Sequence, residues 1–390
     1  MMTFLNRRTL IAGSLALGAS GLALPRIAFA QGAGTRNLLF VLLRGGADGM
    51  AMLAPVGDPG FEALRGTTLP DYEDAARLGS FFAIHPALPE IGKMATMGEA
   101  LFVHAAATAY RDRSHFDGQN LLETGGAAPY AARDGWLNRL AGLMNETDRR
   151  GPVRALAIAP SVPLALRGDA PVSNYAPSAL PEAGEDLIAR VSQLYGGDAE
   201  LGSLWARALE TRAMVADDGL SNLRDASAAG ELTASLMRGP DGARIAMIEL
   251  GGWDTHANQR GAFARSARQL DALIAAYRTA MADAWSDSLV LVATEFGRTA
   301  NINGTGGTDH GTAGAAIVLG GAVRGGRVIA DWPGLAGKQL FEARDLNPTT
   351  ALESVFAGAV AENLGLDPSH AMARLFPGRT SAPLTGIIRS

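Results

Sequence analysis

Apolar runs of strand length recur along the chain at Asn37–Leu43, Ala100–Ala105, Val153–Ile158, Arg244–Leu250, Leu289–Thr294 and Ala315–Leu319, alternating with stretches of helical spacing. That alternation predicts an α/β fold, a doubly wound and mostly parallel sheet with helices on both faces. The clearest helix lies between Arg244 and Thr294, where Phe263, Ala267, Leu270, Ile274, Tyr277 and Met281 recur at spacings of four and three. Its stripe faces the sheet, which makes Val290–Thr294 a crossover strand parallel to the one ending at Leu250. From Pro181 to Arg238 the pattern changes to helices alone, with breaks expected at Gly196-Gly197, Asp217–Gly219 and Ala228–Gly230. This segment, about 181–238, reads as a helical insertion capping the sheet, or as ordinary surface helices. The strands on either side look like parts of one sheet, so residues 31–390 are expected to form a single domain.

The first thirty residues follow another logic. Asn6-Arg7-Arg8-Thr9-Leu10-Ile11 precedes a mildly apolar run from Leu10 to Leu24, which ends in Ala28-Phe29-Ala30 before Gln31. A charged pair, a short apolar stretch and a small-x-small site are the parts of an export signal. Two arginines directly before Thr-Leu-Ile resemble the twin-arginine pattern. At 15 residues the run falls short of the roughly 20 that cross a bilayer as a helix, so a retained anchor is the weaker reading. The chain is expected to reach the periplasm or the exterior already folded, through the twin-arginine export machinery, with residues 1–30 removed.

Removal leaves 31 basic residues against 39 acidic ones and no basic stripe, which argues against nucleic acid as a partner. There are no cysteines. Disulfides, thiolate metal sites and cysteine nucleophiles are thereby excluded, and no second run of 18 apolar residues suggests a membrane span.

In an open parallel sheet, ligands bind outside the carboxyl ends of the strands, and five polar motifs are expected at that edge. They are Arg44-Gly45-Gly46-Ala47-Asp48-Gly49, Arg111-Asp112-Arg113-Ser114-His115-Phe116-Asp117, Gly251-Gly252-Trp253-Asp254-Thr255-His256, Glu295-Phe296-Gly297-Arg298, and Gly306-Gly307-Thr308-Asp309-His310-Gly311, the last leading into the strand at Ala315. Asp254 and His256 place a carboxylate and an imidazole within reach of one cation if the backbone turns there; capping of the following helix is the competing account. Asp309 and His310 sit in a glycine-rich loop that frees the backbone to approach a ligand. Asp48 is a turn residue or a ligand, and Glu295 binds metal or pairs with Arg298 at a helix start. Ser114 either caps the helix that follows or turns its hydroxyl into the site. His85, His104 and His370 are left out of the site, His104 as a hydrogen-bonded residue inside an apolar strand. Carboxylates and imidazoles without thiolates suit a divalent ion, zinc or manganese first and magnesium or calcium next.

These motifs resemble the domain-of-unknown-function family numbered 1501, from about Asn37 to the C-terminal region. That family is similar to a distant branch of the alkaline phosphatase and sulfatase superfamily, and the resemblance implies a doubly wound fold with metal at the strand ends. Carried over residue by residue, it implies one metal site from Asp254, His256 and His310, and a second from Asp48 and Glu295 with Ser114 as nucleophile. Ser114 to Gly125 resembles the superfamily's nucleophile helix. The chain departs where the superfamily has Asp-His, having Glu295-Phe296 instead; one imidazole is then missing unless His115 or Asp309 replaces it. The leading expectation is an exported metal-dependent hydrolase of small-molecule or envelope phosphate or sulfate esters. Ser114 and His115 are its catalytic candidates, and Arg44, Arg113 and Arg298 its oxyanion clamps. The alternative is a non-catalytic binding or assembly protein of the cell envelope that keeps the fold.

Overall fold

The structure, a computed structural model, describes residues 36–147, 153–176, 185–214, 225–239 and 241–389. The export signal and the expected break at Asp217–Gly219 lie outside the described residues. The chain runs through β1 (Asn37–Leu43), α1 (Gly49–Met52), β2 (Leu53–Ala54), α2 (Pro59–Arg65), β3 (Arg77–Leu78), β4 (Phe82–Ile84), α3 (Pro89–Thr96) and β5 (Ala100–Ala107). It continues with α4 (His115–Thr124), α5 (Trp136–Thr147), β6 (Ala155–Ile158), β7 (Val172–Tyr175), α6 (Glu185–Tyr195), α7 (Ala199–Met214) and α8 (Ala226–Met237). The last part holds β8 (Ile245–Leu250), α9 (Gln259–Met281), β9 (Ser288–Thr294), β10 (Gly314–Leu319), β11 (Arg327–Ile329), β12 (Thr350–Ala351), α10 (Leu352–Leu364) and α11 (Pro368–Leu375).

Among the described residues, nine strands make one sheet in the order β11-β5-β10-β9-β1-β8-β6-β7, with β12 pairing beside the end of β5. β2, β4 and β3 form a small antiparallel sheet of their own. β1 and β9 are buried at every position, as strands covered on both faces must be. The alternation of side chains divides β1 between two cores: Leu39, Val41 and Leu43 pack with α3, α8 and α9, while Leu38, Phe40 and Leu42 pack with α5, α10 and α11. The stripe Phe263 to Met281 is fully inside the first core. β8 and β9 are parallel, as the crossover requires, with β1 between them.

Two details depart from the sequence reading. β10 runs antiparallel to both β9 and β5, the only such strand among those described in the sheet. The segment Ala226–Met237 is neither a cap nor broken at Ala228–Gly230. It is one helix, started by the Asp225 carboxylate accepting from Ser227 N, and it lies along α9 with Leu232, Leu236 and Met237 buried. At Gly230 the two helices approach closely, since a Cβ there would sit 2.4 Å from Leu273 O of α9. The glycine that looked like punctuation is a packing contact. In α6 and α7, Leu187, Leu194, Leu201 and Leu204 are exposed.

Candidate metal centre

The parallel strands bring the segments that follow β1, β5, β8 and β9 to one edge of the sheet. Because β10 is antiparallel, its amino end lies at that same edge, which is how Thr308–Gly311 joins them from the opposite direction. The first loop is held close by its glycines. Gly45 has φ +118°, and a Cβ on it would lie 2.5 Å from Asp254 N. Its N–H donates to Glu295 Oε1 (2.9 Å), which joins the first and fourth segments directly.

Three imidazoles and one carboxylate converge at this edge. His310 Nε2 lies 3.0 Å from His115 Nε2, 3.0 Å from His256 Nε2 and 3.1 Å from Asp254 Oδ1. His256 Nε2 is 3.0 Å from Asp254 Oδ1, and His115 Nε2 is 3.5 Å from Asp254 Oδ2. The donor atoms of His115, Asp254 and His310 all lie within 4.8 Å of one another; His256 joins through Asp254 and His310. Two ligands on one tetrahedral zinc are separated by about 3.3 Å when each bond is roughly 2.0–2.1 Å, which is the scale of these separations.

The opposite nitrogen of each ring identifies the tautomer. His115 Nδ1 donates to Glu295 Oε1 (2.8 Å), His310 Nδ1 to the Arg113 carbonyl (2.9 Å) and His256 Nδ1 to Asp309 Oδ1 (3.2 Å). A carboxylate or carbonyl oxygen can only accept, so in the tautomer with the proton on Nδ1 each neutral ring turns its Nε2 lone pair inward. Lone pairs facing one another at 3.0 Å repel unless a cation or a proton lies between them. That donor chemistry fits a divalent ion, and the acceptors behind the rings are the usual outer shell of metal-ligating histidines. Arg113 is held at φ +62°, the left-handed region, and it is this strained residue whose carbonyl orients His310.

The electrostatics follow from the partners. The hydrogen bond to Glu295 holds the His115 pKa above its ordinary value, more than burial lowers it. Burial holds that of His310 down. For Glu295 burial works upward but is outweighed by hydrogen bonds from His115, Gly45 and Gln119, so its pKa is lowered. Asp254 is lowered too, burial being overcome by Arg298, and Asp309 is lowered by its bonds to Asn303 and His256. The cluster opens to solvent on the side of Asp254, His256 and Asp309, whose side chains are 44–50% exposed.

The other sequence candidates lie elsewhere or face elsewhere. Asp48 is 1% exposed and apart from the cluster. Its carboxylate receives Arg65 Nη1 (2.7 Å), Gln259 Nε2 (2.6 Å) and the N–H groups of Met50 and Ala51 at the start of α1. Glu295 and Asp309 stand behind His115 and His256, holding rings instead of turning an oxygen to the centre. The three arginines are all engaged. Arg44 makes a two-pronged pair with Glu249 (2.6 Å each) and reaches Glu123. Arg113 pairs with Asp345 and Glu342. Arg298, fully buried, donates to Asp254 Oδ1 (2.6 Å) and to Thr308. None of the three is presented as an oxyanion clamp.

Ser114 stands at the start of α4 and makes no capping bond to it. Phe296 is buried with its ring 4.9 Å from that of His115 and 5.1 Å from that of His310. The position where an imidazole was sought is thus a wall of the cluster, and His115 supplies a ring beside it. His104 is a core residue, bonded to Leu53 O and lowered by burial to about 4. His85 is also buried and lowered to about 4. Arg65 and Gln259 escaped the sequence reading, since nothing local distinguishes them from surface residues.

A family model matches residues 87–376, the range that holds four of the five motifs. The chain belongs to the family described as protein of unknown function (DUF1501). No curated protein matches this DUF1501 member in sequence. Among solved structures it is similar to a protein in the alkaline phosphatase superfamily from Vibrio parahaemolyticus, at 11% identity and TM-score 0.38, over 89% of this chain and 71% of that one. It is similar also to alkaline phosphatase from the Antarctic bacterium TAB5, at 11% identity and TM-score 0.36, over 88% and 99%. A third is the phosphonate monoester hydrolase of Agrobacterium radiobacter, at 14% identity and TM-score 0.34, over 89% and 78%. Likenesses this distant establish nothing about the chemistry of the DUF1501 chain.

Proposed function

We propose that this DUF1501 protein is an exported, divalent-metal-dependent hydrolase of phosphate or sulfate esters, carried folded by the twin-arginine machinery to the periplasm or the exterior. Among the described residues no helix is long and apolar enough to cross a membrane. The observation that carries the reading is the inward convergence of the Nε2 atoms of His115, His256 and His310 with Asp254. Imidazoles with a carboxylate suit zinc or manganese better than calcium or magnesium, which favour oxygen ligands. A divalent ion bound there would polarise an ester oxygen and stabilise charge on the attacking or leaving oxygen.

The residues of the chain supply orientation. Glu295 and the Arg113 carbonyl fix two rings, and Arg298 fixes Asp254. The open side at Asp254, His256 and Asp309 is where an ester would enter. Ser114, at the positively polarised start of α4 and next to His115, is the candidate nucleophile. In the net reaction one water is consumed, the bond from phosphorus or sulfur to the ester oxygen breaks, a bond to the incoming oxygen forms, and the alcohol leaves with a proton.

One observation favours the second reading, a non-catalytic envelope protein: Arg44, Arg113 and Arg298 are all committed to carboxylates, leaving none of the three to hold an oxyanion. Metal analysis of the purified mature protein, beside turnover of aryl phosphate and aryl sulfate, separates the two. Bound metal with turnover lost in both His310→Ala and Ser114→Ala supports the hydrolase. Bound metal with no turnover of either ester supports the binding protein, and absence of metal ends the metal site in both readings.

A further inference from the structure

Resting on that metal reading, we infer that the centre takes a single divalent cation, because buried guanidinium groups, or a set of hydrogen-bond donors, already engage the carboxylates from which a second would have to be bound. Those carboxylates are Asp48 and Glu295, the pair that the family resemblance implied, and Asp254, the one acid shared with the cluster.

Asp48 is already neutralised. Arg65 pairs with it in a region where the two side chains are 1% and 0% exposed, and the same guanidinium donates to Thr299 O (2.7 Å) and Ala300 O (2.6 Å). A cation on Asp48 would have to expel Arg65 and leave two buried carbonyls unpaired. Breaking a buried pair on one side costs far more than the pair is worth in place. Glu295 is engaged at both oxygens: Oε1 accepts from Gly45, His115 and Gln119, and Oε2 from Thr294 Oγ1 (2.9 Å). On Asp254 the far side is taken by Arg298, whose side chain is 0% exposed and is fixed by Thr308 and the Gly45 carbonyl. A second metal bridged by Asp254 would lie against this buried positive charge.

The charge balance gives the same answer. The cluster and its direct partners comprise three carboxylates, Asp254, Glu295 and Asp309, and one guanidinium, Arg298, with the imidazoles neutral. One divalent cation brings the set to zero. A second would leave it with two uncompensated positive charges beside the buried guanidinium of Arg298.

The test is a metal count on chelator-stripped mature protein reloaded with Mn(II) or Zn(II) and desalted, with the Mn(II) form also read by electron paramagnetic resonance. We expect one equivalent per chain, an isolated Mn(II) spectrum, and loss of the ion in Asp254→Asn. Two equivalents per chain, or the spectrum of a coupled Mn(II) pair, overturns this inference while leaving the metal reading intact. No retained metal in the wild type overturns both, so the two failures are told apart without any activity assay.

Discussion

Replacing Glu295 by glutamine isolates what the carboxylate behind His115 contributes. Oε1 takes three donors and Oε2 only one, the Thr294 hydroxyl. The amide therefore settles with its oxygen in the Oε1 place and its NH2 toward Thr294 Oγ1, whose own proton turns to Leu43 O, already 2.8 Å away. Every polar atom keeps a partner, so the fold should survive with a cost on the order of 1 kcal/mol. What is lost is the negative charge that makes His115 a better base. Outer-shell changes of this kind weaken metal affinity by roughly 10–100-fold, or about 1.4–2.8 kcal/mol. The assay is competition with a chromophoric zinc chelator on stripped wild-type and Glu295→Gln protein, with thermal melting as the control for folding. Wild-type affinity, within threefold, in a properly folded variant would refute the argument that Glu295 acts on the metal through His115.

Arg65→Met leaves Asp48 charged, buried and without its counter-ion, and should destabilise the protein by about 3–5 kcal/mol in urea unfolding; a change under 1 kcal/mol would mean that the pair is not buried as described. Gly230→Ala puts a Cβ 2.4 Å from Leu273 O and should cost roughly 1–3 kcal/mol by forcing α8 away from α9, with the metal count unchanged; neutral stability there would contradict the close helix contact. Zinc binding should weaken on acidification, because the ligand rings must be neutral. With its pKa raised by Glu295, His115 takes up a proton at a higher pH than an ordinary histidine, so in Glu295→Gln the loss should move to lower pH. In the metal-free protein the sign is opposite: a raised His115 pKa gives stability that is present below the unfolded value and lost as pH rises through the folded one. Melting the stripped protein between pH 5 and 9 tests this, wild type against Glu295→Gln.

The amino-acid pattern by itself determined the layers of the fold. A strand buried on both faces must be apolar at successive positions, and a helix lying on the sheet must repeat every three to four, so β1, β9 and α9 carry their environments in their own sequence. It also determined which loops meet, because parallel strands put their following segments at one edge. Asp254 and His256 share one of those loops; their grouping with His310 was an implication of the family resemblance, and the place of His310 at this edge depends on β10 running antiparallel.

Only the tertiary structure decided which acids face the centre. Asp48 and Asp254 look alike locally, each following a strand and glycines, and what separates them is a partner distant in the chain: Arg65 for one, the three imidazoles for the other. The same holds for Glu295, turned to a supporting role by His115, and for Arg44, Arg113 and Arg298, each committed to a carboxylate that no spacing rule reveals. The direction of β10 and the helical contact at Gly230 belong to this group as well. Local pattern records burial and periodicity, because these act within a few residues; the pairing of charges in a dry interior is settled by what the fold brings alongside, and a single segment holds no record of that.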